Sequence, residues 1–162
     1  MGTQFRDRDK QAELIDKIPY LKDFHNEDKN TLAGLAYFIE YEVGEVIIEE
    51  NSVNQELFFL IRGKVEILKG GEHIVDLRGG GRLFGEMSYM NHSFTSATVK
   101  ASSEVVMLCF KIPGLLGLGI DKYARLQVSL YKAIAEILSQ KLITTTELAK
   151  SYHAQAHNEH ID

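Results

Sequence analysis

Between Tyr37 and Ile112 the chain is a succession of short β-rich runs separated by glycine, and this pattern restricts the fold more than any other feature. The runs YFIEYEV, EVIIEE, ELFFLIRG, KVEILKG, HIVDLRG, SATVKA and EVVMLCFKI are broken by Gly44, by the polar turn Asn51–Asn54, and by glycines at 63, 70–71 and 79–81. Strands this short and this regularly spaced predict a β-sandwich, jelly roll or barrel. KVEILKGGEHIVDL is the clearest hairpin, with Val65, Ile67, His73 and Val75 alternating around the Gly70-Gly71 turn.

The flanks have a different period. From Asp9 to about Leu35 the pattern is helical, with Leu14, Ile15 and Ile18 near one face and Pro19 breaking it. Asn26 is a candidate N-cap for the second helix, which has acids in its first turn. From about Asp121 to Tyr152 there is neither glycine nor proline, and Tyr131, Ile134, Leu138, Leu142, Thr145, Leu148 and Tyr152 recur at helical spacing. A helix of ~30 residues is ~45 Å long, more than a small barrel can cover. Its apolar stripe predicts a homodimer through this helix; a kink folding the helix back on its own barrel is the alternative. The expected architecture is mainly β with flanking helices. It comprises an N-terminal helical segment over 1–35, a β-roll or jelly-roll barrel over 36–112, C-terminal helices over 113–152 and a tail over 153–162.

Composition narrows the function. A chain of 162 residues is most simply one domain. Residues 1–60 carry 6 Lys/Arg against 13 Asp/Glu and residues 61–162 carry 12 against 10, so neither part offers a basic face to nucleic acid. The single Cys109 lies in an apolar run, which predicts an inert buried thiol and a cytoplasmic protein. No apolar run is long enough to span a bilayer. His153, His157 and His160 fall at helical spacing but lack a carboxylate or thiol cage, so a solvated tail is expected rather than a metal site. His73 and His92 are isolated, and no nucleophile–base arrangement can be assembled around Cys109. A binding protein without metal or cofactor is expected, not an enzyme.

The segment FGEMSYMNHSFTSATV, residues 84–99, carries the chemistry. Gly85 lets the backbone approach a ligand. The short turn opening at Glu86 presents N–H groups near Met87 and Ser88 to an anion, while an ionised Glu86 can only accept hydrogen bonds and so suits a sugar hydroxyl. Together with the helix–strands–helix order and the placing of Gly44 and Gly63, this segment resembles the cassette of the cyclic nucleotide-binding domain family, over roughly Leu21 to Tyr152, with Asn51 standing where the family usually has glycine. That family includes regulatory subunits of cyclic-AMP-dependent protein kinase and the bacterial catabolite activator protein.

The resemblance implies a ligand site of Gly85, Glu86, Met87, Ser88, Thr95 and Ser96, with Glu86 on the ribose 2′-hydroxyl and the N–H groups on the cyclic phosphate. It also implies, from the bacterial branch, that Thr145 and Thr146 of the last helix face the base. One part is missing: the family's phosphate-binding arginine falls at Thr95. Such a contact contributes ~1.5–3 kcal/mol, so a cyclic nucleotide should bind roughly ten- to several-hundred-fold more weakly. With Glu86 present the pocket is expected to be net negative; Arg82 and Lys100 are the nearest cations in sequence. The leading expectation is a regulatory module binding cyclic AMP or another cyclic nucleotide in an atypical pocket. The alternative is a ligand-free dimerisation or protein-interaction scaffold. The family's DNA-reading domain follows the last helix, and the chain ends about ten residues past Tyr152, so no such reader is expected.

Overall fold

The computed structural model describes residues 2–91 and 93–158. The chain runs β1 (Thr3–Phe5), α1 (Arg8–Lys17), α2 (Asn26–Leu35), β2 (Ala36–Tyr41), β3 (Val46–Ile48), β4 (Glu56–Arg62), β5 (Lys64–Lys69), β6 (Glu72–Arg78), β7 (Arg82–Phe84), α3 (Glu86–Asn91), β8 (Thr98–Ala101), β9 (Val105–Lys111), α4 (Ile112–Leu116) and α5 (Ile120–Asn158). Two antiparallel sheets, ordered β1-β2-β9-β4-β7 and β3-β8-β5-β6, make the jelly-roll-like body.

The apolar runs of β4 and β9 are continuous because their sheet is buried on both faces. Leu57 and Phe59 of β4, with Leu108 and Phe110 of β9, point outward under the helices and join Ile15, Leu21, Leu32 and Ile134. Phe58, Leu60, Met107 and Cys109 point into the roll, against Val65, Phe84 and Val99. The helices are therefore packed against the outer face of the larger sheet, and Cys109 is wholly enclosed, as its sequence context predicts. Burial pushes its thiol far above the ordinary range.

Several local expectations are corrected. Asn26 is the first residue of α2, and His25 occupies the capping position without a side-chain bond. The N-terminus contributes β1, which pairs with β2 and stacks Phe5 on Phe38 at 5.0 Å; three residues are too few to show a period. The β5–β6 hairpin keeps Val65 opposite Leu77 and Ile67 opposite Val75, but its register slips between Ile67 and Leu68. Ile74 is left exposed and His73 turns outward to Asp76, at 2.9 Å.

The last helix is longer than its sequence pattern suggests, reaching past Tyr152 to Asn158 over 39 residues, or about 58 Å. Its first half is pinned to the body. Leu126, Leu130, Ala133, Ile134 and Ile137 enter the outer core, and Arg125 makes a forked contact with the buried carboxylate of Asp28 on α2, with N–O distances of 2.9 and 3.0 Å. Beyond Leu138, Lys141 still reaches the body, while Leu142, Leu148 and Tyr152 are exposed. No described helix is long and apolar enough to cross a membrane.

Candidate ligand-binding site

A cavity of about 180 Å³ opens between the smaller sheet and the cassette. Ile48, Ile67, Leu77 and Val99 form its apolar wall, and Gly85, Glu86, Met87, Ser88, Thr95 and Ser96 all line the rest. The structure thus brings together the six cassette residues singled out from sequence. Lys141 of α5 completes the lining, a residue the sequence reading did not single out.

Gly85 has φ +87, and a Cβ there would lie 2.3 Å from the Glu56 carbonyl oxygen and 2.7 Å from Nδ2 of Asn54. The glycine is required by the crossing of the chain over the start of β4, whatever occupies the cavity. That crossing turns the chain from β7 into α3 and sets Glu86 on the inner side.

Glu86 is buried, its side chain only 8 % exposed, and its Oε1 accepts from Lys141 Nζ at 2.6 Å. Lys141 also donates to the Leu83 carbonyl at 3.1 Å and lies over the Phe84 ring. The expected net negative pocket is therefore corrected: the carboxylate is compensated by a cation from a helix 55 residues away in sequence. Removing that cation would strand a buried charge, a change worth up to ~3–5 kcal/mol for a fully enclosed pair and less here because Lys141 is 43 % exposed. The two cations considered from sequence lie elsewhere. Arg82 donates through Nε to the Arg78 carbonyl, and Lys100 faces Glu66 at 3.4 Å.

Thr95 stands in the arginine place, and its hydroxyl is occupied. Thr95 is 6 % exposed; its Oγ1 accepts from the Ser52 N–H at 3.0 Å and donates to the Glu49 carbonyl. Two backbone bonds of 2.9 Å, Asn51 N–H to the Thr95 carbonyl and Thr95 N–H to the Ser52 carbonyl, complete the clasp. Asn51 takes φ +58 in the turn thus held, the left-handed conformation its side chain tolerates. A hydroxyl has one proton to give. Thr95 therefore anchors the 49–52 turn, and its one hydroxyl proton is given to the Glu49 carbonyl.

Ser88 differs. The residue lines the cavity, and its buried Oγ has no hydrogen-bond partner among the described residues. A buried hydroxyl left alone is costly, and a polar ligand atom would satisfy it. Thr145 and Thr146 lie outside this chain's cavity lining; their hydroxyls donate to the Lys141 and Leu142 carbonyls of their own helix, at 2.8 Å each. The cassette helix is tied to α5 a second time by Tyr89 and Tyr131, whose rings sit 5.6 Å apart.

Among the described residues no cluster could hold a metal ion. His153 is exposed on α5, while His92, His160 and the His157 side chain lie outside what is described.

Comparison with known proteins gives a consistent picture. The profile of the cyclic nucleotide-binding domain matches residues 38–118. The regulatory subunit of cyclic-AMP-dependent protein kinase from Schizosaccharomyces pombe is 24 % identical over 120 residues, covering 72 % of this chain and 29 % of that protein. The chain therefore spans under a third of that relative. A cyclic nucleotide-binding domain from Methylobacillus flagellatus superposes with a TM-score of 0.71 at 19 % identity, covering 86 % of this chain and 80 % of that one. A regulatory subunit of a cyclic-AMP-independent protein kinase A from Trypanosoma brucei, solved as a triple variant with cyclic AMP in its A site, gives 0.66 at 21 % identity, covering 83 % and 51 %. One of that variant's three changes is threonine to arginine.

Proposed function

The chain belongs to the cyclic nucleotide-binding domain family, and from that premise we propose that it is a regulatory binding module whose pocket takes cyclic mononucleotides weakly. The observation carrying this reading is Thr95, buried in the arginine place with its hydroxyl committed to the 49–52 turn. The remaining site is otherwise assembled: Glu86 for a sugar hydroxyl, Ser88 with an unengaged hydroxyl, and an apolar wall for a base. At about 180 Å³ the cavity is smaller than the ~300–1,000 Å³ usual for ligand pockets, so a whole nucleotide would fill it and project beyond its mouth.

Calorimetry of the chain against cyclic AMP, cyclic GMP and cyclic dinucleotides tests the reading. Binding of cyclic AMP at tens of micromolar or weaker is expected from the loss of one charge-assisted contact, at roughly tenfold per 1.4 kcal/mol. Submicromolar affinity at moderate salt would overturn it. The Trypanosoma brucei regulatory subunit belongs to a cyclic-AMP-independent kinase, and this likeness supports a second reading, in which cyclic AMP is not the ligand; a ligand-free scaffold is one form of it.

In either reading the partner surface is the distal half of α5. Leu148 and Tyr152 continue, with Thr145, the face that packs on the body before Leu138, and Leu142 stands to one side of it; Leu142 and Tyr152 are each 68 % exposed. A second copy laid along this stripe would bury it in a helix pair. Ile134, expected from sequence at the centre of such a seam, belongs instead to the chain's own core, and Leu138 packs against that core from its edge.

A further inference from the structure

Lys141 holds more than Glu86. An ammonium group has three donors. One goes to Glu86 Oε1 and one to the Leu83 carbonyl, which leaves a third at the wall of the cavity. The side chain is partly open to solvent, so that donor is within a ligand's reach. Lys141 also interrupts the apolar face of α5, between Ile137 and Thr145, where a lysine has no packing reason to stand.

We propose that Lys141 is the residue that reads the ligand's negative charge in this pocket, supplying from α5 the cation that the cassette lacks at Thr95. This rests on the nucleotide-binding reading above. Two opposite roles are conceivable for a lysine so placed. It could be a latch that a ligand must displace from Glu86, or a ligand-binding group that stays. Displacement would leave a buried carboxylate facing an anionic ligand with no cation between them, which electrostatics opposes. Staying keeps Glu86 compensated and leaves the third N–H for the ligand's phosphate, in a cavity that Ser88 also lines. The consequence is that charge recognition is carried by the helix that also bears the overhanging stripe. A nucleotide bound through Lys141 sets the position of α5.

Calorimetry of the full chain with cyclic AMP and with uncharged adenosine, in the parent, Lys141→Met and Lys141→Arg, separates the roles. Lys141→Met keeps the apolar stem and removes the charge. It should weaken cyclic AMP by roughly tenfold or more, the value of one charge-assisted bond, while adenosine changes by less than about threefold. Lys141→Arg should stay within about threefold of the parent for both. Equal or tighter binding of cyclic AMP by Lys141→Met overturns the proposal and makes Lys141 a latch or a bystander. A parent that binds cyclic AMP in no assay overturns the nucleotide-binding reading and this one together, which distinguishes the two failures. If Lys141→Met does not fold, Glu86→Gln is compared with Glu86→Gln/Lys141→Met, in which no carboxylate is stranded. A loss of cyclic AMP affinity of about tenfold between them supports the assignment, and equality overturns it.

Discussion

Thr95→Arg restores the missing guanidinium, and its expected outcome is a tighter but less stable protein. The Thr95 hydroxyl accepts the Ser52 N–H and donates to the Glu49 carbonyl from a buried position. An arginine in its place can still donate to that carbonyl, but it has no acceptor for the Ser52 N–H. Ser52 is only partly buried, so its orphaned N–H costs up to the ~1–3 kcal/mol of a buried one, and for a domain of this length the melting temperature falls by roughly 2–4 °C per kcal/mol. Against this, a forked contact with a cyclic phosphate contributes ~1.5–3 kcal/mol, or about ten- to 150-fold in affinity. Because Lys141 already compensates Glu86, the new charge makes the pocket net positive rather than neutral. Glu86→Gln in the arginine background should therefore remove the sugar-hydroxyl share of binding without unmasking a repulsion, and take back part of the gain. Thr95→Lys, a point charge without the fork, should recover less affinity than Thr95→Arg. Thr95→Val, which loses both hydroxyl bonds and adds no charge, should show the drop in melting temperature with no gain in affinity. Thermal melts with and without cyclic AMP, and calorimetry of the four variants, measure both quantities. An arginine variant as stable as the parent and no tighter for cyclic AMP would refute the reasoning on both counts, and would leave the scaffold reading as the better one.

Three further outcomes concern the helix and the core. Light scattering at micromolar concentration should report a dimer for the chain and a folded monomer for Leu142→Glu/Tyr152→Glu, since both sites are exposed in the single chain; a monomeric parent would exclude the helix pair. Truncation after Ser129 should give an insoluble barrel rather than a clean monomer, because it removes Leu130, Ala133, Ile134 and Ile137 from the core. Cys109, enclosed and with its thiol pushed far up by burial, should resist alkylation at pH 8 in the native protein and react only on unfolding; rapid labelling of folded chain would contradict the packing.

The features legible in the sequence are those set by near neighbours along the chain. Glycine punctuation predicted the strand breaks, the left-handed turn was correctly tolerated by Asn51 at φ +58, and an apolar run enclosed Cys109. The cassette was readable for the same reason: Gly85 to Ser96 is one short stretch whose members must meet in any fold that closes it. Even there the residue types misled on function. Thr95 reads as a weak substitute for arginine until its hydroxyl is seen to be engaged by residues 43 and 46 positions earlier. Lys141 had a trace in the sequence, a cation on an apolar helical face, but no periodicity tells which cation on which turn will meet a carboxylate. The amino-acid sequence by itself determined the strands, the helices and the set of groups the cassette could offer, because torsional preference and burial pattern act over a few residues. Which of those groups remain free for a ligand was decided only by the tertiary structure. A hydrogen-bond donor can be given once, and its competitors on the 49–52 turn and on α5 come within reach only when the chain has folded.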